Sequence, residues 1–274
     1  MKNIWTGWKP TPSNRLNYNL LERKVLIKKR VSDHILWAKI DRPKAKNAID
    51  FDVMQELEVL VGELEEDEQV RVFILSGEGS ESFVSGGDLK KFHMIKSKEE
   101  AVAKSRRMQD LLLRIEQLPC WTVACVNGDA YGGGIELMLA FDFRLSVPDA
   151  KFGFTQGRFY LVPGWGGLTR LVEKAGRTKA LEWLGRSTVT DANDVLNKGL
   201  IEHILPGESL KEETLKWVEK LTKNDRNYIK TLKEGAFRFT ANRKNSLEAE
   251  IKPFSDLWVD EEHISRVEKF MNRK

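Results

Sequence analysis

Cys125-Val-Asn-Gly-Asp-Ala-Tyr-Gly-Gly-Gly-Ile-Glu-Leu-Met-Leu-Ala-Phe-Asp-Phe-Arg144 is the stretch of sequence from which the fold can be predicted. An apolar strand is expected to run into Gly132, Gly133 and Gly134 and then into a helix. Three consecutive glycines let the main chain approach another molecule closely and leave the first amides of the helix without intrahelical partners. At the positive end of the helix dipole, these amides suit a ligand oxygen that carries or develops negative charge.

Glu136 lies in the first turn of that predicted helix, which holds a carboxylate one turn from the proposed anion site. An oxyanion site with a base beside it is an arrangement that forms enolates. A second interpretation stays open, in which the glycines form a tight turn that packs a helix on a sheet. Glu136 would then be an exposed acid at the start of the helix.

The composition is typical of a globular protein. The chain has 274 residues, and 41% of them are hydrophobic, which is enough for a sizeable core. The net charge is +4, and basic residues are spread along the chain, so no nucleic-acid partner is expected. Cys120 and Cys125 are predicted to point to opposite faces of one strand, and two unpaired thiols fit a reducing compartment.

No segment has the length of a signal peptide or approaches the ~18 uninterrupted apolar residues of a membrane span. We therefore expect no membrane partner and a cytoplasmic location. No Cys/His or carboxylate spacing indicates a metal site.

Strands are predicted early in the chain and helices late, which indicates an α/β fold. Residues 1–22 have no periodicity and are expected to form an extension, and residues 25–29 and Ile35–Ile40 to form an antiparallel pair. Strand–helix units follow, and the strand Trp121–Val126 is expected to lead into the glycine run. Residues 151–167 are predicted to be a loop. Helices follow from residue 168 onward, with Thr190 as the N-cap of one of them and a short strand over residues 200–205.

Four landmarks occur in a fixed order along the chain. They are Arg42-Pro43 with Asn47-Ala48, Phe83-Val-Ser-Gly-Gly-Asp-Leu89, Val126-Asn-Gly-Asp-Ala-Tyr-Gly-Gly-Gly-Ile-Glu-Leu137 with Phe141-Asp142-Phe-Arg144, and Pro163-Gly-Trp-Gly-Gly167 with Arg170-Leu171. Together they resemble the crotonase superfamily, the enoyl-CoA hydratases and isomerases, over about residues 24–272. Four landmarks in one order are far more specific than any one of them.

The resemblance implies a crotonase-like spiral of ββα units followed by a helical C-terminal lobe that takes part in trimerisation. We accordingly expect an N-terminal extension over residues 1–22, an acyl-CoA-binding core over residues 23–207 and the helical lobe over residues 208–274. The expected assembly is a homotrimer or a dimer of trimers.

The same resemblance implies which residues bind the substrate. The family polarises the thioester carbonyl of an acyl-CoA with two backbone amides, which correspond here to Gly87 and Gly133. Coenzyme A enters as part of the substrate, and no separate cofactor is expected. Ser85 is predicted to be a turn residue and not a nucleophile. The residues expected to contact coenzyme A, largely through their main chain, are Lys44, Ala45, Asn47, Ser85, Gly87, Asp88, Leu89, Lys90 and Gly133.

The sequence departs from the hydratase pattern at one position. Typical hydratases use two glutamates; Glu136 matches the first, and the second corresponds to Gln156. An amide can hold a water or donate a hydrogen bond, but it does not exchange a proton near neutral pH. The predicted catalytic residues are therefore Glu136, Gly87, Gly133 and Gln156, and the two-carboxylate mechanism is in doubt.

The segment Trp165-Gly-Gly-Leu-Thr-Arg-Leu-Val-Glu173 resembles the decarboxylase branch of the superfamily. Decarboxylation needs the oxyanion hole and a modest proton donor, but no second acid. Trp165 either fills space under its loop or shapes the acyl pocket. Arg158 either neutralises a substrate carboxylate or is a solvated loop residue, and His93 is either structural or part of the pocket.

Three hypotheses follow from the sequence. The leading one is an acyl-CoA-processing enzyme of the enoyl-CoA hydratase or isomerase type, which stabilises a thioester enolate. The second is a decarboxylase of a malonyl-type, branched acyl-CoA. The third, of another class, is a protein that binds acyl-CoA without turnover, since a retired enzyme would also have lost one catalytic acid.

Overall fold

A six-stranded sheet runs through the described part of the chain, which in this computed structural model comprises residues 26–237 and 243–272. The predicted extension over residues 1–22 lies outside it. The first two strands pair antiparallel, as predicted, and the other neighbours pair parallel, so that each needs a crossover connection. Numbered in chain order, the strands lie in the sequence β1 (Leu26–Ser32), β2 (Ile35–Ile40), β3 (Val72–Gly77), β5 (Trp121–Val126), β7 (Phe143–Ser146) and β10 (His203–Ile204).

A second sheet of four short strands accompanies the first. Its first three strands each follow closely after a strand of the large sheet, and a helix comes next, which gives the expected spiral of ββα units. The predicted strand Trp121–Val126 is confirmed as β5, and a further short strand of the small sheet, β6 (Asp129–Tyr131), lies between it and the glycine run. The strands are β4 (Ser82–Val84), β6 (Asp129–Tyr131), β8 (Lys151–Gly153) and β9 (Val189–Asp191).

Eleven helices are found in the described residues, and local signals explain where the two longest early ones begin. The Asp50 side chain accepts a hydrogen bond from the Val53 amide at the start of the first helix. Ser97 and Glu100 form a capping box at the start of the third. The helices are α1 (Phe51–Glu66), α2 (Leu89–Phe92), α3 (Lys98–Gln117), α4 (Gly133–Met138), α5 (Gly167–Ala175), α6 (Arg177–Arg186), α7 (Ala192–Asn197), α8 (Leu210–Glu219), α9 (Arg226–Phe237), α10 (Arg243–Trp258) and α11 (Glu261–Met271).

Three local predictions are wrong. Residues 151–167 are not all loop, because they contain β8 and a 3-10 turn over Gln156–Phe159. The N-cap of α7 is Asp191 and not Thr190, because the Asp191 carboxylate accepts the Asp194 amide. The strand predicted over residues 200–205 is limited to the two residues of β10.

The late helices are part of the same packed interior as the sheets. Helix α10 packs against α3 and α5, and its residues Phe254 and Trp258 belong to the main hydrophobic cluster. Helix α10 of the predicted C-terminal lobe therefore shares its interior with the core, and the boundary between residues 207 and 208 stays a prediction. Within the described residues, none of the helices combines the length and the apolar character that crossing a membrane requires.

Candidate active site

A cavity of about 90 Å³ lies where the two glycine-bearing junctions meet. Its walls come from the segment after β4, from α3, from the start of α4, from the turn after β8 and from α10. This volume is well below the ~300–1,000 Å³ of sites for drug-sized ligands, so it suits a small group. The lining residues are Ser85, Gly86, Gly87, Leu89, Phe92, Lys104, Gly132, Gly133, Glu136, Thr155, Gln156, Phe159, Leu161, Trp165, Phe254 and Trp258.

The N–H group of Gly87 is left out of backbone pairing. Ile49 donates to the Gly86 carbonyl at 2.8 Å, and Asp88 donates to the Ile49 carbonyl at 2.8 Å. This parallel bridge uses the residues on either side of Gly87, so the N–H of Gly87 itself is not consumed by it. Among the described residues, no backbone carbonyl accepts that N–H. An unpaired backbone donor therefore lines the cavity.

The N–H group of Gly133 is the first amide of α4, and first-turn amides have no intrahelical acceptor. Since α4 has only six residues, this individual N–H, more than a helix dipole, is what a ligand oxygen would meet. A Cβ atom on Gly133 would overlap the six-membered ring of Trp165, and one on Gly87 would crowd Phe92 and touch the same indole at van der Waals distance. Trp165 thus packs beneath both glycines and shapes the site.

Glu136 is the carboxylate that lines this cavity, and it is only 2% exposed. Its Oε2 accepts the amides of Trp165 at 2.7 Å and Gly167 at 2.9 Å. Burial raises the pKa of Glu136 to about 7, and the charge of Glu250 adds to this, whereas the hydrogen bonds to the carboxylate act in the opposite direction. The group is therefore not the exposed helix-start acid of the second interpretation.

Gln156 lies directly against Glu136. Its Nε2 donates to Oε1 of Glu136 at 2.9 Å, and this sets the orientation of the amide, because an ionised carboxylate only accepts. The other end of the amide, Oε1 of Gln156, is buried and has no hydrogen-bond partner among the described residues. Glu136 and Gln156, which the sequence assigns to the positions of the two catalytic glutamates, are thus in contact. Oε1 of Gln156 remains as an acceptor without a partner among the described residues.

A buried ion pair supports the turn that carries Trp165. Arg170 donates to the Trp165 carbonyl at 2.8 Å and makes a two-pronged pair with Glu116 at 2.9 and 2.8 Å. Arg243 also contacts Glu116. Burial alone would raise the pKa of Glu116, but Arg170 and Arg243 hold it below its ordinary value. Because each charge in this cluster has a partner of opposite sign, the cluster holds the Trp165 turn in place through the Arg170 side chain.

Glu250 fixes the start of α5, just after that turn. It accepts the amides of Leu168 at 3.2 Å and Thr169 at 2.7 Å. Burial raises the pKa of Glu250, and its hydrogen bonds with Thr169 and Leu168 oppose the shift. Helix α10 thereby adds a second carboxylate close enough to influence Glu136, although Glu250 is not among the residues that line the cavity.

The two loops expected to contact coenzyme A lie side by side. Ser85 donates its amide to the Lys46 carbonyl at 3.1 Å. The Asn47 side chain is buried and fully used inside the protein, donating to the carbonyls of Glu78 and Ser82 and accepting the amide of Arg42. Asp88 is likewise paired with Arg42, at 2.8 Å. Contacts from Lys44, Ala45, Asn47, Ser85, Asp88, Leu89 and Lys90 to coenzyme A stay predictions, which for Asn47 and Asp88 concern the main chain.

Two candidates from the sequence lie away from the cavity, and one residue inside it was missed. Arg158 is exposed and donates to the Ser187 carbonyl, and His93 lines a neighbouring cavity. Lys104, by contrast, is only 4% exposed and lines the site. A signal for it existed, because Lys104 precedes Met108 by four residues and so continues the buried stripe of α3.

Comparison with known proteins places this chain in a family. The family model described as enoyl-CoA hydratase/isomerase matches residues 30–273, and the chain belongs to this family. It is 34% identical over 223 residues to ethylmalonyl-CoA decarboxylase of Gallus gallus, covering 80% of this chain and 73% of that protein. It is 27% identical over 239 residues to the short-chain-enoyl-CoA hydratase of Clostridium acetobutylicum, covering 86% and 90%.

A solved structure confirms the fold class. The enoyl-CoA hydratase from Bacillus halodurans superimposes with a TM-score of 0.83 at 23% identity, covering 89% of this chain and 99% of that one. For several other relatives, the matched stretch spans only 64% to 66% of their own length. Because the relatives include both a hydratase and a decarboxylase, the comparison establishes the family and not the particular reaction.

The buried charge cluster predicts a large stability effect. Glu116→Gln keeps the shape of the side chain but leaves Arg170 without its charged partner in the interior, which we expect to cost about 3–5 kcal/mol of unfolding free energy. The matched control is Glu58→Gln, which breaks a similar two-pronged pair with Arg107 that is about one third exposed. It should cost no more than about 1 kcal/mol. Urea unfolding of both variants measures the difference, and equal small losses would contradict this account of the cluster.

Proposed function

We propose that this chain binds an acyl-CoA with its thioester carbonyl oxygen between the N–H groups of Gly87 and Gly133, and that it stabilises an enolate there. The observation that carries the proposal is that both N–H groups lack a backbone acceptor among the described residues and line one cavity. Preorganised donors of this kind contribute about 3–4 kcal/mol each to a transition state with a developing oxyanion. The low exposure of the surrounding residues keeps water from competing.

The coenzyme A portion is proposed to lie outside the cavity, along the paired loops at residues 44–47 and 85–90. Lys44, Lys46, Lys90 and Lys91 are exposed at this rim, where ammonium groups would face phosphate. The cavity itself then receives only the acyl chain. Its small volume favours a short acyl group.

The acid–base work is assigned to Glu136 alone. As an ionised base it would remove a proton next to the thioester carbonyl and return it elsewhere, which is the chemistry of an isomerase and of half a hydratase. Gln156 would orient Glu136 through their hydrogen bond, and its free Oε1 could accept a hydrogen bond from a water. A full hydratase cycle lacks its second proton carrier in this arrangement.

Decarboxylation is the second candidate, and the single acid favours it. The bond between the α-carbon and the carboxylate carbon breaks, CO₂ leaves, and the electron pair passes into the enolate held by the two amides. Neutral Glu136 then donates a proton to the α-carbon. No second carboxylate is needed, and the relative from Gallus gallus is described as an ethylmalonyl-CoA decarboxylase. A panel of enoyl-, hydroxyacyl- and malonyl-type CoA esters, with products followed by mass, separates these reactions from binding without turnover.

Removing the acid function of Glu136 should reduce activity without loss of the fold. In Glu136→Gln, the new amide oxygen can accept the amides of Trp165 and Gly167, and its NH₂ group can donate to Oε1 of Gln156 after that amide turns over. We expect kcat on the best substrate to fall ~10²–10⁴-fold while acyl-CoA affinity is nearly unchanged. Steady-state kinetics and calorimetry test this, and full activity in the variant would make Glu136 purely structural.

Gln156→Glu tests the second acid position, where the hydratase pattern has a glutamate. It places a second carboxyl group at the family position and should raise the hydration of crotonyl-CoA over wild type. If wild type already hydrates crotonyl-CoA at a rate that this substitution does not improve, Gln156 is no handicap and another group moves the α-proton.

The pH dependence of kcat/KM distinguishes the two candidate reactions. Because the pKa of Glu136 is raised to about 7, the group is neutral below pH 7 and ionised above it. A reaction that needs Glu136 as a base should become faster as pH rises to about 7, whereas protonation of an enolate by neutral Glu136 should become slower above it. Lys104 lines the same cavity and burial lowers its pKa, so the inflection is assigned to Glu136 only if Glu136→Gln removes it. A profile that is flat between pH 5.5 and 8.5 would contradict both roles.

A further inference from the structure

Lys104 is a basic residue inside the candidate active site that the chemistry above does not use. Helix α3 carries it on its buried stripe, between Ala101 and Met108, and its side chain reaches the cavity that Gly87, Gly133 and Glu136 line. At 4% exposure it lacks the hydration that a surface lysine keeps. A buried ammonium group needs a partner of opposite charge or good acceptors to be stable.

The protein surrounds this ammonium group with aromatic rings and not with acceptors. Nζ lies 3.2 Å from the ring centroid of Trp258, 4.6 Å from that of Phe92 and 4.9 Å from that of Phe254. Within residues 26–237 and 243–272, these ring contacts are the interactions that Nζ makes, with no ion pair within 4.0 Å and no hydrogen bond. Burial lowers the pKa of Lys104 well below its ordinary value, and the charge of Glu136 acts against this. Three N–H donors therefore lack acceptors at the cavity wall.

Packing alone does not account for a lysine at this position. A methionine would fill the same space between the three rings without the cost of burying a charge, and apolar replacements of buried charges are often neutral or stabilising. The other lysine that is buried among the described residues shows the contrast, because Lys233 is paired with Asp142 at 2.6 Å and with the Cys120 carbonyl at 2.9 Å. Lys104 has no such partner in the described protein, which points to a partner that arrives with the ligand.

We propose that Lys104 binds a carboxylate on the acyl group of the substrate, and so selects carboxyacyl-CoA thioesters over acyl-CoAs with an uncharged chain. The proposal rests on the proposed function, in which Gly87 and Gly133 hold the thioester carbonyl and the acyl chain enters the same cavity. Three aromatic faces hold the ammonium in place and leave its donors for the ligand. Arg158, which the sequence offered for this role, is engaged elsewhere.

The coenzyme A phosphates are a poorer match for Lys104. The rings of Phe254 and Trp258 and the small volume enclose the ammonium, and exposed lysines already lie at the rim, outside the cavity. A carboxylate on a short acyl chain is small enough to reach it. Because the ion pair would be made on binding, and the carboxylate loses its charge if CO₂ leaves, Lys104 is expected to act on KM more than on kcat.

The test compares ligands that differ only by a carboxylate. Calorimetry of the full chain is carried out with butyryl-CoA and with succinyl-CoA, which carries a carboxylate in place of the terminal methyl group. Kinetics are measured with ethylmalonyl-CoA, which is butyryl-CoA with a carboxylate on the α-carbon. In Lys104→Met we expect the affinity for succinyl-CoA, or 1/KM for ethylmalonyl-CoA, to fall about tenfold to a hundredfold, according to which position the carboxylate occupies. Affinity for butyryl-CoA should change less than about threefold.

Two controls separate this role from a structural one. Lys104→Met should unfold at the same temperature as wild type or higher, because it removes an unpaired buried charge. Lys233→Met removes a buried lysine remote from the cavity, and it should lower the unfolding temperature while leaving the preference for carboxyacyl-CoA unchanged. Lys104→Arg retains the charge and should recover part of that preference.

The outcomes are distinguishable. If Lys104→Met weakens butyryl-CoA and both carboxyacyl-CoAs by the same factor, or changes none of them, the role of Lys104 as a carboxylate ligand is overturned while the proposed function stands. If wild type binds none of these thioesters, the proposed function itself fails, and this inference fails with it.

Discussion

The buried carboxylate of Glu136 is the interaction on which the site depends. Its Oε2 accepts the amides of Trp165 and Gly167, and so fixes the turn in which the indole lies beneath Gly133. The same carboxylate is the acid or base of the proposed reaction. Glu136 therefore both holds the cavity wall in place and serves as the acid or base, so that its protonation and the shape of the cavity are coupled. Gln156 completes the arrangement by holding the remaining oxygen in one orientation.

The charges around this carboxylate explain why it is poised near neutral pH. Glu116 is paired with both Arg170 and Arg243. Arg170 therefore holds the Trp165 turn in place while its own charge is compensated by Glu116, and not by Glu136. Glu250 lies on the other side and, together with burial, raises the pKa of Glu136. Lys104 forms no ion pair with Glu136 among the described residues, although the charge of Glu136 acts to raise the pKa of Lys104. An acid with a pKa near the working pH transfers protons efficiently in either direction, which suits enolate chemistry.

Much of the site could be predicted from the sequence, because its main residues fall in short motifs. Local motifs point to the two glycine junctions and to Glu136, whereas the roles of Gly87, Gly133 and Gln156 come from the family resemblance; all four residues line one cavity. The three-residue strands of the small sheet are too short to leave a periodic signal, so the sequence favours a loop where the structure has β8. Lys104 was missed because a lone charge near the start of a helix is usually exposed, and Glu250 and Phe254 because tertiary packing brings them in from a distant helix.

Infrared difference spectroscopy of a bound thioester tests the central claim most directly. Butyryl-CoA carrying a ¹³C label at the thioester carbonyl would be added to the protein, with binding verified by calorimetry. Two hydrogen bonds from Gly87 and Gly133 in a water-poor cavity weaken the carbonyl bond, so the account predicts a labelled band at lower frequency than in water. A bound thioester whose band lies at or above its frequency in water would contradict the two-amide site.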